Sequence, residues 1–314
     1  MHIFKTLGRW GIALFMLWST AYGSVYNLPE NGDDVVGSNR VAALQAGDTL
    51  SAFARRNGIG YYEVLDANPG LDPIHLSTGS QLFVRNQFIL PNAPREGIVI
   101  NLAELRLYYY PANSHTVMVY PVGIGRIGWQ TPTGQLRVIQ KKQDPDWRVP
   151  PTVAADMAKR GIILPEVIPA GPDNPLGAYM MRLSNYTYLI HGTNRPEGVG
   201  RRTSAGCIRM YPENVEQLFK AVPVGTKVTI VNQPFKAGWL NGQLYFEAHS
   251  PLREQRAEYA GNYDSLWESA INTAIMGKTT QVDWKKVHVL GKKQTGVPQV
   301  VSVSASSTVE HKDA

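Results

Sequence analysis

The stretch Ile98-Val-Ile-Asn-Leu-Ala-Glu-Leu-Arg-Leu-Tyr-Tyr-Tyr110 decides the fold class. It is dense in β-branched and aromatic residues, and Asn101–Glu104 offers a place for a hairpin turn, so two strands joined by a short turn are expected. Further strand candidates follow at Val117–Val122, Leu136–Gln140, Tyr186–Ile190 and Val228–Val231. Pro121 marks Val117–Val122 as an edge strand, or ends it there. One clear helix is expected at Pro212–Ala221. Its proline suits the first helical position, and Val215, Leu218, Phe219 and Val222 fall on one face. A long Pro-rich connection runs from Lys141 to Pro175 and holds one short helix near Val153–Lys159. Segments of that kind are usually functional or mobile. The fold class is mainly β, centred on a domain spanning 96–232.

On the N-terminal side, residues 24–40 read as a loose polar lead-in and 40–85 as a compact unit. Asp48 or Thr49 can cap a helix that begins at Leu50, and Leu50, Phe53 and Ala54 give it one apolar stripe. Asn57-Gly58 stops that helix. A second helix carries Tyr61, Val64 and Leu65 and ends at Asn68-Pro69-Gly70. Gln81–Val84 can pair with Val41–Leu44, giving strand, helix, helix, strand. Phe88–Pro94, with two prolines, reads as a linker. On the C-terminal side, 233–252 is a hairpin around Asn241-Gly242, and 253–314 is a C-terminal extension. The extension has one helix at Ser265–Ile275 and a poorly ordered end from 291 onward.

The chain of 314 residues can hold two small domains or one medium domain with appendages. Its 43% hydrophobic and 18% charged residues are ordinary for a chain that buries a core. The formal net charge of +6 is spread along the sequence, so no nucleic-acid partner is implied. Lys5 and Arg9 precede a nine-residue apolar run, Trp10–Trp18, and the small residues Ala21 and Gly23 follow. That run is too short to span a bilayer. Residues 1–23 therefore read as a cleavable signal peptide, which implies export.

Export makes Cys207 conspicuous, because it is the chain's one cysteine. Cysteines in oxidising compartments usually pair. A single one is inert and buried, an intermolecular link, or a reactive thiol. Its surroundings favour reactivity. The expected strand Tyr186–Ile190 runs into His191-Gly192-Thr193, and Ser204-Ala-Gly-Cys-Ile-Arg-Met210 follows sixteen positions after His191. A free thiol has a pKa of about 8.5 and is only slightly ionised near neutrality. A neighbouring imidazole can take its proton. Gly206 lets the backbone approach closely, so amides around it can face a developing oxyanion. Ser204 either orients the imidazole or shapes the turn. Arg209 either binds a carboxylate bidentately or holds the loop through backbone carbonyls. Arg195, Arg201 and Arg202 read as a solvated charged loop, and Tyr108–Tyr110 as sheet residues rather than a sugar platform.

Two resemblances add to this reading. Gly47-Asp48-Thr49-Leu50, Ala54, Ala67-Asn68-Pro69-Gly70-Leu71 and Gly79 resemble a lysin motif, a βααβ module that binds N-acetylglucosamine-containing glycans such as peptidoglycan. Here Gly60 stands where that family usually caps its second helix with Ser or Thr. His191-Gly192-Thr193 with Ser204–Met210 resembles the signature of the L,D-transpeptidase catalytic domain, and with the module ahead of it the chain is similar to periplasmic members. Many relatives carry histidine directly before the Gly-Cys pair, where this chain has Ala205. The resemblance implies Cys207 as nucleophile, His191 as proton acceptor and donor, Gly206 in an oxyanion hole, and Arg209 and Thr193 near substrate. It implies no metal or other cofactor. The acyl donor would be a peptidoglycan tetrapeptide stem, attacked at the L-centre of meso-diaminopimelate with loss of D-Ala. The acceptor would be the terminal lysine of the major outer-membrane lipoprotein, or a second diaminopimelate in a 3→3 cross-link. Two rival classes remain. A sortase-like peptidase, which the order His191, Cys207, Arg209 would also suit, is disfavoured because Arg209 follows the cysteine by only two residues, and a papain-like one is disfavoured by the chain order of histidine and cysteine. A non-catalytic wall-binding protein is disfavoured by the intact motif.

Overall fold

The computed structural model describes residues 23–30 and 32–303. The expected signal peptide lies outside them apart from Gly23, as do residues 304–314 of the tail. The stretch Ile98–Tyr110 forms the antiparallel strands Gly97–Asn101 and Arg106–Tyr110, with Gly97 opposite Tyr110 and Asn101 opposite Arg106. Strand side chains alternate between faces, and here both faces are covered. Ile98, Ile100, Leu107 and Tyr109 enter one core, whereas Val99, Tyr108 and Tyr110 enter another. Burial on both sides is why this segment reads as a nearly continuous apolar run.

The pair sits inside a nine-stranded sheet. From one edge the order is Ser24–Asn27, Thr116–Pro121, Arg106–Tyr110, Gly97–Asn101, Lys227–Val231, Gly134–Gln143, Tyr179–Leu183, Leu189–His191 and Ile208–Arg209. Two neighbouring pairs run parallel: Gly97–Asn101 with Lys227–Val231, and Leu189–His191 with Ile208–Arg209. Helix Pro212–Ala221 lays Val215, Leu218 and the following Val222 on the first core. Thr116–Pro121 ends at its proline but is not the edge strand, because Ser24–Asn27 pairs with it. The supposed lead-in is thus partly sheet, and its Val35–Gly37 pairs with Gln87–Ile89, which runs into the supposed linker. The strand expected at Tyr186–Ile190 is only Leu189–His191, and it pairs with Tyr179–Leu183, which the sequence reading missed.

The N-terminal unit has the expected order. Arg40–Ala43 pairs with Gln81–Val84, and helices Leu50–Arg56 and Tyr61–Ala67 close over a core of Leu44, Leu50, Phe53, Ala54, Ile59, Val64, Leu82 and Val84. Thr49 is the cap, its Oγ1 accepting from Ala52 N at 3.1 Å. At the C-terminal end, Phe235–Leu240 and Gln243–Ala248 form a hairpin that turns at Asn241 and Gly242, both with positive φ, as a two-residue primed turn requires. The tail corrects the expectation of disorder as far as residue 303. Helix Trp284–Lys293 and strand Gln299–Val300 are formed, and that strand adds to Gln243–Ala248. With helix Tyr263–Ile275 they bury Trp267, Ile271, Val287, Leu290 and Val301 against the hairpin. Hairpin and tail therefore share one core.

A buried polar knot joins these parts. Glu63 of the N-terminal unit pairs with Arg85 and with Arg106 of the central sheet. Lys236 Nζ lies 2.6 Å from Glu104 and 3.0 Å from Glu247. Arg85 Nη1 donates to Gly296 O at 2.8 Å, and His249 Nε2 meets Glu247 at 2.6 Å. Burial and the nearby Arg85 hold His249 well below its ordinary pKa. Glu104, Glu247 and His249 bring ligand atoms within 4.8 Å of one another, but the Lys236 ammonium already supplies the cation there. Among the described residues no helix is long and apolar enough to cross a membrane.

Candidate active site

The geometry follows from one parallel pairing. Ile190 is opposite Ile208 and His191 is opposite Arg209. Ile190 and Ile208 point into the central core. By alternation, Leu189 and His191 on one strand share the opposite face with Cys207 and Arg209 on the other. Cys207 packs there against a small apolar cluster of Leu176, Met180 and Leu189, with Trp147 beside it. The fold thus brings His191, Cys207 and Arg209 to one face at the end of the sheet.

His191 is buried. Its Nδ1 lies 2.6 Å from Gly192 O, a group that only accepts, so Nδ1 carries the proton and the other nitrogen is the basic one of the neutral ring; the Leu176 main chain also faces the ring. Burial, and then the positive charge of Arg209, push its pKa down to about 3. Cys207 is half-buried. Its Sγ donates to Thr187 O at 3.7 Å, and among the described residues it makes no hydrogen bond to His191. Burial pushes the thiol pKa up, against the opposing pull of the Leu189 main chain and of Arg209 and Arg182. Both shifts favour the uncharged forms, so at rest the pair is a neutral thiol and a neutral imidazole.

The loop around the sulfur differs from the expectation in two ways. Among the described residues Ser204 makes no hydrogen bond to His191. Its Oγ donates to Cys207 O at 2.6 Å and accepts from Gly206 N at 3.2 Å, so it closes the turn, as hydroxyls commonly do. The Gly206 amide is therefore occupied. Among the described residues the amides of Ala205 and Cys207 have no acceptor. Gly206 is needed for space and conformation instead. Its φ is +105, and a Cβ there would stand 2.8 Å from Tyr188 Cε1. Thr131, which the sequence reading passed over, braces the same loop: its hydroxyl donates to Gly206 O at 2.7 Å and accepts from Gly125 N at 3.0 Å.

Arg209 is half-buried, and its Nη1 donates to Thr203 Oγ1 at 3.3 Å. Its Nε has no partner among the described residues. Thr193 is buried, with Oγ1 accepting from Arg195 N at 2.9 Å. Arg195 is exposed as expected, but Arg201 and Arg202 are not simply solvated. Arg201 stacks 3.4 Å from the Tyr61 ring centroid, and Arg202 pairs bidentately with Glu254 at 2.7 Å. The Pro-rich connection walls one side of the site. Asn174, fully buried, donates to Pro145 O at 2.8 Å and accepts from Leu176 N at 2.9 Å, fixing the turn that packs Leu176 near His191 and Cys207. Its setting, Gly171-Pro-Asp-Asn-Pro175, carried a turn signal but nothing that pointed to the site.

These features define a class: a β-rich catalytic domain with a thiol and an imidazole on one sheet end, preceded by a small βααβ module. Residues 95–230 match the YkuD family, the L,D-transpeptidase catalytic domain, and residues 44–85 match the LysM domain. The chain is 38% identical to the Escherichia coli (strain K12) protein named "Probable L,D-transpeptidase ErfK/SrfK", over 92% of this chain and 94% of that one. It is 41% identical to the same organism's "Probable L,D-transpeptidase YbiS", over 94% and 97%, and 44% identical to its "Probable L,D-transpeptidase YcfS", over 75% of each. The chain belongs to the L,D-transpeptidase family, and it is an L,D-transpeptidase acting on peptidoglycan.

Proposed function

We propose that Cys207 is the nucleophile and His191 its base, and that the enzyme transfers a peptidoglycan stem to an amine. The observation that carries this reading is the parallel register that sets Cys207 and His191 on one face, with the Ala205 and Cys207 amides free beside them. On substrate binding the thiol leaves Thr187 O and turns toward the imidazole. The basic ring nitrogen takes the proton as Sγ attacks the carbonyl at the L-centre of meso-diaminopimelate. The tetrahedral oxyanion is held by the two free amides, each such donor contributing roughly 2.7–4 kcal/mol to the transition state. Collapse expels D-Ala, which receives the proton from the imidazolium, and leaves a thioester on Cys207. An acceptor amine then attacks that thioester, His191 takes its proton, and the thiol is regenerated as an amide forms.

Arg209 supports carboxylate recognition. Its Nε is unpartnered, and a guanidinium edge can hold a stem carboxylate bidentately. Thr193 lines the same end of the sheet, its hydroxyl hydrogen available to substrate. The N-terminal module would hold the glycan strand, and the exported, periplasmic setting read from residues 1–23 matches that substrate. For the acceptor we favour the terminal lysine of the major outer-membrane lipoprotein, because the chain continues past the catalytic domain into a folded C-terminal unit. The second product is a 3→3 diaminopimelate cross-link. Supplying a tetrapeptide donor with both acceptor amines and identifying the product by mass tests this. A lipoprotein-linked muropeptide is expected. Cross-link alone contradicts the acceptor, and a protein that binds wall without forming product contradicts catalysis.

A further inference from the structure

The loop between His191 and Cys207 is covered on its outer side by the lysin-motif unit, and the contact is backbone on backbone. A Cβ on Gly60 would lie 2.8 Å from Gly200 Cα, and one on Gly200 would lie 2.3 Å from Gly60 Cα. The Tyr62 amide donates to Gly200 O at 3.2 Å. Tyr62 is the second residue of its helix, whose cap position is Gly60. That amide is one that a capping side chain would ordinarily accept from. Here a carbonyl of the catalytic loop takes that role, while Glu63 accepts from Gly60 N at 3.0 Å. A serine or threonine at 60 would collide with the loop, which gives the departure from the usual lysin-motif cap a physical cause. Arg201 stacking on Tyr61, Tyr211 Oη donating to Ile59 O at 3.1 Å and the Arg55–Glu213 pair at 2.8 Å extend the same interface.

The loop transmits this contact inward. Gly200 N donates to Val122 O at 3.2 Å, and Arg201 O accepts from Ile124 N at 3.1 Å, so the segment is held between the module and the sheet. Two residues earlier, the place of a Cβ on Gly198 is 2.6 Å from Arg209 Nη1 and 3.0 Å from Thr203 Oγ1. Gly198 thus lies directly against the Arg209 guanidinium, with no room for a side chain between them. We propose that the lysin-motif unit is a positioning element of the active site: through the Gly60–Gly200 contact it sets the 198–203 loop, and through that loop the Arg209 guanidinium that receives the carboxylate of the acyl donor.

This inference rests on the proposed roles of Cys207 and Arg209, and Gly60→Ser separates the two. The variant restores a side-chain cap within the module and pushes a Cβ against the loop. Acylation by a carbapenem, which carries a carboxylate, is followed by intact mass, and alkylation by iodoacetamide, which carries none, is followed in parallel. In folded Gly60→Ser that still co-sediments with peptidoglycan, carbapenem acylation is expected to slow on the order of tenfold to a hundredfold, as for a misplaced binding group, while alkylation keeps its wild-type rate. Unchanged carbapenem acylation, or an equal loss with both reagents, overturns the inference alone. A wild-type protein that forms no carbapenem adduct overturns it together with the nucleophile assignment. If Gly60→Ser does not fold, Tyr61→Leu removes the ring under Arg201 and leaves Gly60 in place. It is expected to slow carbapenem acylation in the same selective way, and a folded Tyr61→Leu protein with wild-type acylation overturns the proposal.

Discussion

At the scale of single residues, the electrostatics of the pair set its pH behaviour. His191 is pushed down to about 3, so it is neutral, and able to accept a proton, throughout the physiological range. Cys207 is pushed up, so the thiol stays protonated near neutrality and gives its proton to the imidazole as the bond forms. The acylation rate constant should therefore be level from about pH 6 to about pH 8, because the reacting pair keeps one protonation state across that range. A rate in stopped-flow acylation that falls on acidification through about pH 6.5 would show instead that the imidazole titrates near its ordinary value. The same histidine affects stability. Between its unfolded value of about 6.5 and its folded value of about 3, the unfolded chain binds the extra proton, so stability falls as pH falls through that window. His249 acts in the same direction, while Asp66, raised by burial to about 6, acts against it. His191→Gln should therefore lose less stability than wild type on acidification across that window, read as the shift in unfolding midpoint.

Among the elements, the catalytic loop depends on conformation more than on side-chain chemistry. Gly206→Ala adds a methyl group at φ +105 and 2.8 Å from Tyr188. It should cost roughly 1–3 kcal/mol of stability and abolish acylation, and a variant that acylates normally would show that the loop has another way to fit. Asn174→Ala strips the Pro-rich turn of its bonds to Pro145 O and Leu176 N. A loss of about 1–3 kcal/mol with slowed acylation is expected from denaturant unfolding and adduct kinetics. Most of the helices and longer strands, though not Tyr179–Leu183 or Trp284–Lys293, were legible in the sequence, because their periodicity and caps are local, as at Thr49 and Pro212. Ile208–Arg209 was not, because a two-residue strand has no period to read. Nor was the role of Ser204, since a hydroxyl three residues from a cysteine serves a turn or a neighbouring histidine equally well on paper.

Over the whole molecule, the three units are tied by buried charges rather than by apolar area alone. Glu63, Arg85, Arg106, Glu104, Lys236 and Glu247 come from all of them and are almost fully buried. Removing one partner leaves the others uncompensated, so Lys236→Met should destabilise the fold by about 3–5 kcal/mol, measured by denaturant unfolding. Little of this was visible beforehand, because partners such as Arg85 and Glu247 are far apart in sequence and each reads as an ordinary surface charge. The ordered C-terminal tail escaped for a similar reason. Gln299–Val300 is a strand only because Gln243–Ala248 offers it an edge. The motif residues, by contrast, were readable at once, because spacing and residue type coincide at His191 and Cys207. The most direct test of the account is intact mass of wild type and Cys207→Ala after incubation with a tetrapeptide stem. Wild type is predicted to gain the stem less its terminal D-Ala, and Cys207→Ala to gain nothing. An adduct on the variant, or none on wild type with its thiol free, would contradict the account.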